Sequence, residues 1–143
     1  MNDARKRSPE SERLESSAPW SFGEATVIRA AAFTHLAVLV VGLLAPAQLF
    51  SPWGIPVTEP STFLRFGVVA QGTLGLSLVR AVRMPRREGR LMVETAALVM
   101  LAFFTVLLAD AMAQRLPGRA PLVGLVDLLF GVALFRIARR STA

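Results

Sequence analysis

Apolar residues along this chain fall in four long blocks, 26–50, 62–82, 91–114 and 120–138, separated by short runs of Pro, Gly and Arg. Each block is close to the roughly 20 helical residues that cross a bilayer. A water-soluble helix would bring a polar residue to its surface every third or fourth position, and these blocks mostly do not. The pattern predicts an all-α fold: an integral membrane four-helix up-down bundle, with short connections that set neighbouring helices antiparallel. The domain is expected over 26–140, after a polar tail over 1–25 and before a cytoplasmic end over 141–143.

The tail is mixed in charge and poor in apolar residues, a composition that does not build a core of its own. Trp20 and Phe22 precede the first block, where aromatic rings favour the headgroup level. That block ends in Ala45-Pro46-Ala47, which has the form of a signal-peptidase site. The long polar leader and the length of the apolar run argue instead for a retained helix kinked at its outer end by Pro46. The loop that follows, rich in Pro and carrying Trp53, reads as a short extracellular connection.

Charge then gives the bundle a direction. Of the 16 basic residues, Arg5, Lys6, Arg7, Arg13 and Arg29 lie before or at the start of the first block, and Arg80, Arg83, Arg86, Arg87 and Arg90 lie around the second connection. Arg136, Arg139 and Arg140 follow at the end, leaving only Arg65, Arg115 and Arg119 for the other side. Short basic loops resist translocation, so both termini are expected in the cytoplasm, with the protein in the inner membrane of a bacterium. The net charge of +6 is thereby explained by membrane orientation, and nucleic acid is not an expected partner. Arg80, Arg83, Arg86, Arg87 and Arg90 are expected to attract anionic lipid headgroups.

Ionisable groups at membrane depth are costly, which makes them the natural places to look for function. Asp127 lies about seven residues into the fourth block, on one side of its helix with Gly124 and Gly131. Arg65 and Asp110 enter and leave the membrane on the same outer side, at matching depth. Two readings follow: a structural ion pair clasping two helices, or an outward-opening polar pocket lined by Arg65, Gln71, Asp110, Gln114 and Asp127. On the inner half, His35 shares a stripe with Ala31 and Gly42, and Glu94 is its expected partner. The second block carries Gly67, Gln71 and Gly75 on one stripe with Gly72 beside it, a small-residue groove suited to close helix packing.

Ala31-x-x-x-His35 resembles the pigment-ligating spacing of bacterial light-harvesting polypeptides, but the four-span layout departs from that single-span family, and its pigment is not carried over. No cysteine is present, so disulfides and thiolate metal sites are excluded. No phosphate loop, nucleophile elbow or paired zinc histidines appear, and no metal or cofactor is expected.

The Pro-rich first loop, Phe63-Leu64-Arg65 opening a Gly-rich second span, Leu108-Ala109-Asp110 closing the third, the Pro117-Gly118 turn and Val126-Asp127-Leu128 together resemble the small four-helix bacterial membrane proteins of the DoxX-like and related uncharacterised groups. The resemblance covers residues 28–140 and implies fold and membrane location, with little about activity. The functional expectation is a non-catalytic accessory or interaction subunit of a membrane assembly, working with other membrane subunits or as a homo-oligomer. The alternatives are a small membrane enzyme or carrier for a lipophilic or anionic compound using the outer pocket, and a pigment- or haem-associated subunit using His35.

Overall fold

The computed structural model describes residues 18–57 and 62–140, and every regular element among them is helical. The tail as far as residue 17, the stretch 58–61 of the first loop and the end over 141–143 lie outside the described residues. Helix α1 spans Phe22–Leu44, the short α2 spans Pro46–Phe50, α3 spans Thr62–Arg83, α4 spans Arg86–Met112 and α5 spans Leu125–Arg140. Single 3-10 turns, Ser51–Trp53 and Ala120–Gly124, precede α3 and α5. Three helices are long and apolar enough to cross a membrane: Phe22–Leu44, Arg86–Met112 and the continuous run Ala120–Arg140.

α1 begins four residues before the apolar block does. Ser21 and Glu24 form a capping box in which the Ser21 side chain accepts from the Glu24 N–H and the Glu24 carboxylate accepts from the Ser21 N–H. This satisfies two backbone donors that the helix end would otherwise leave unpaired. The other end of α1 closes at Ala45, which at φ −144° and ψ 59° has left the helical region that the residue before a proline avoids. The expected kink at Pro46 is therefore a full break, and Pro46 restarts a separate short helix.

α1 packs along α3, α4 packs along α5, α3 lies against α4, and α1 meets α5 to close the ring. Ile28 of α1, Leu78 of α3, Val93 and Met100 of α4 and Leu134 of α5 are fully enclosed between them. Small residues set the α1–α3 spacing. A Cβ at Gly42 would meet Val68, one at Gly72 would meet Leu39, and one at Gly75 would meet the Ala32 carbonyl and Leu36. These contacts fix the antiparallel register of the two helices. α4 and α5 approach in the same way, through Gly124 on Phe104 and Leu107, and Gly131 on Ala97 and Leu101.

Trp20, just before α1, packs against protein. It is buried at 7% exposure, and its Nε1–H donates to the Ala81 carbonyl over 3.0 Å. Gly89 leaves room for its ring, since a Cβ there would lie 3.1 Å from Trp20 Cζ2. Phe22, two residues on, is exposed.

Candidate functional site: a buried His–Asp–Gln cluster

The buried polar side chains among the described residues are His35, Gln71 and Asp127, from α1, α3 and α5, and they meet one another. His35 Nε2 lies 2.9 Å from Asp127 Oδ1. The Gln71 amide donates to the same oxygen over a longer 3.5 Å. His35 Nδ1 lies 2.7 Å from the Ala31 carbonyl one turn back on its own helix. A carbonyl can only accept, so Nδ1 carries a proton. The contact between Nε2 and Oδ1 then holds one further proton, on imidazolium facing carboxylate or on carboxylic acid facing imidazole. In either form the pair is neutral overall, the condition under which two ionisable groups are least costly in an apolar interior.

Asp127 faces the bundle interior, in keeping with the Gly124 and Gly131 stripe, but its partners differ from those expected. His35 and Asp127 occupy the same depth rather than opposite halves. Counting from the capped start at Phe22 puts His35 about 20 Å along α1, and nine residues, about 14 Å, from its other end at Leu44. Asp127 lies about 13 Å in from Ala120, because the 3-10 turn that begins its helix rises faster per residue than an α-helix. Both corrections are invisible to a count of apolar residues.

The remaining expected site residues are placed elsewhere. Asp110 pairs with Arg115 in the following loop at 3.3 Å, Arg65 is exposed on α3, and Gln114 is exposed at the turn after α4. Gln114 has a left-handed φ of 58°, and its turn lets the Arg115 and Leu116 amides return to the Asp110 carbonyl. The outer pocket therefore contributes only Gln71 and Asp127 to the cluster. Glu94, expected beside His35, instead takes Arg139 at 3.4 Å and Arg90 at 3.9 Å. With both ring nitrogens of His35 engaged, neither is free to ligate a haem or chlorophyll metal in this arrangement.

Of the five arginines expected among lipid headgroups, two are held by the protein. Arg86 pairs with Glu24 at 2.6 Å and sits over the Trp20 ring, 6.0 Å from its centroid, while Arg90 is drawn to Glu94. Arg80, Arg83 and Arg87 are exposed. Ser21-x-x-Glu24 is the signal in the sequence that foretold part of this, since it starts α1 at the level where Glu24 reaches Arg86. No protein-family model, curated protein or solved structure matches this chain.

Proposed function

We propose that this chain is a four-span protein of a bacterial inner membrane, with both termini in the cytoplasm, serving as a non-catalytic accessory subunit of a membrane assembly. Three spans are apolar enough by themselves. The case for α3 as the fourth rests on its neighbours: it is 22 residues long, about 33 Å at helical rise, and only Met84 and Pro85 separate it from α4. A helix joined to a crossing helix by two residues and packed antiparallel to it must run through the same layer. Near its middle Gln71 turns inward, Thr73 and Ser77 bond back to carbonyls of their own helix, and its arginines lie toward its two ends, which supports placing it there. Kinship with the DoxX-like small membrane proteins belongs to the same reading.

The observation that carries the accessory role is that His35, Asp127 and the Gln71 amide nitrogen bond one another across three helices, leaving only the Gln71 Oε1 without a partner among the buried side chains of the described residues. His35, Asp127 and Gln71 are used to hold the bundle together, and the constellation on which a carrier or enzyme reading rested is dispersed between the exposed Arg65, the exposed Gln114 and the Asp110–Arg115 pair. Crosslinking in native membranes followed by purification in mild detergent tests this. The expected result is a reproducible partner, either another membrane protein or a second copy. A lone monomer that captures nothing refutes the accessory role.

A further inference from the structure

Between the inner halves of α1 and α3 lies an open groove of about 300 Å³. Its walls are Ala32, Phe33 and Leu36 on one helix and Val79 and Val82 on the other, and Arg29 and Arg83 border it. The α1–α3 register brings the two arginines together. The Gly72–Leu39 and Gly42–Val68 contacts, continued along the antiparallel pair, set Arg29 opposite Ala81, two residues or about 3 Å short of the level of Arg83. Both arginines are exposed, no carboxylate lines the groove, and among the described residues neither arginine forms an ion pair. Glu24, the acid nearest in sequence to Arg29, is occupied by Arg86.

We infer that this groove is a binding site for an anionic phospholipid of the inner leaflet, its phosphate held between Arg29 and Arg83 and the start of one acyl chain laid along Phe33, Leu36 and Val79. Guanidinium is the side chain best matched to phosphate oxygens, and two such groups at one level above an apolar channel reproduce the order of charge and chain in a phospholipid. Diffuse attraction of a basic surface to acidic lipid needs no groove. Here two helices contribute one charge each and share the apolar walls, so that charge and shape act together. The inference rests on the proposed membrane placement with this end cytoplasmic.

The test is native mass spectrometry of the purified full chain in mild detergent, titrated with phosphatidylglycerol or with phosphatidylcholine of the same acyl chains. Wild type should retain phosphatidylglycerol preferentially. Losing one arginine should weaken that retention roughly fivefold and losing both roughly twentyfold or more, from the usual contribution of a basic side chain near acidic lipid. Val82→Trp, which keeps both charges and fills the groove, should lose the bound lipid too. Arg80→Ala with Arg87→Ala, outside the groove, should leave it unchanged.

Equal retention of the two lipids by wild type overturns the inference. So does retention that survives Arg29→Ala with Arg83→Ala, survives Val82→Trp in a protein of unchanged thermal stability, or falls as far in the Arg80 and Arg87 variant. Extraction of the chain from membranes by alkaline carbonate would defeat the membrane placement itself, a result separable from any of these.

Discussion

His35 Nε2 on α1 lies 2.9 Å from Asp127 Oδ1 on α5, and the second nitrogen of His35 is committed to the Ala31 carbonyl. The consequence is an unequal response to substitution. Asp127→Asn still offers a donor to an unprotonated Nε2, and a turn of the Gln71 amide sets its oxygen, which has no partner in the wild type, to accept from the same NH2, so the cost should stay within about 1 kcal/mol. Asp127→Ala strands both partners in an apolar interior, at about 1–3 kcal/mol for each group left unpaired. Unfolding of the two variants in detergent should separate them clearly, and an Asn variant as damaged as the Ala variant would contradict a hydrogen-bonded role for Asp127.

Trp20 makes a second prediction. Trp20→Phe removes the hydrogen bond to Ala81 but keeps a ring in the site, for a loss of about 1 kcal/mol. Trp20→Ala leaves a cavity at the junction of α1, α3 and α4, for about 3–5 kcal/mol. The only other tryptophan is Trp53, which is partly exposed. Emission from a Trp53→Phe variant should therefore be blue-shifted and poorly quenched by iodide, and a red, readily quenched emission would place Trp20 outside the core.

Two glycines should answer the same substitution with opposite signs. A Cβ at Gly89 would lie 2.5 Å from the Ala81 carbonyl oxygen, a backbone atom that cannot swing aside, so Gly89→Ala should destabilise by about 1–3 kcal/mol. Nothing lies within 4 Å of a Cβ at Gly67, so Gly67→Ala should be neutral or stabilising by up to about 1 kcal/mol through helix propensity. Thermal unfolding of the pair provides the check, and equal effects would defeat the close α3–α4 contact.

At Gln114 the backbone is left-handed at φ 58°, where an L-residue is strained and glycine is not. Gln114→Gly should raise the unfolding free energy by up to about 1 kcal/mol. Were Gln114 a binding residue of an outer pocket, glycine would instead abolish ligand binding, which a screen of anionic compounds against both proteins would detect.

Topology is open to direct measurement. An alkaline phosphatase reporter fused after Gly54 should be active, and one fused after Met84 inactive, because the thirteen basic residues on the proposed inner side outnumber the three on the other. Activity at Met84 would reverse the orientation.

The sequence by itself determined the helical class, the apolar runs and a disturbance at Pro46, though not that it is a full break, because these follow from local rules: the length of an apolar stretch, and the hydrogen bond that a proline cannot make. It also pointed to Asp127 as an inward-facing residue, through the spacing of Gly124 and Gly131. What only the tertiary structure decided was partnership. Asp110 was available to Arg65 or to Arg115, and the left-handed turn at Gln114 delivered it to Arg115. His35 was available to Glu94 or to Asp127, and the capped start of α1 at Ser21 together with the 3-10 entry to α5 brought His35 level with Asp127. Relative depth depends on where each helix begins and how fast it rises, and a few residues' difference at either end moves a side chain by a full turn. Hydrophobic blocks mark where a helix lies in the sequence, but the pairing of charges is set by register between helices, which only packing fixes.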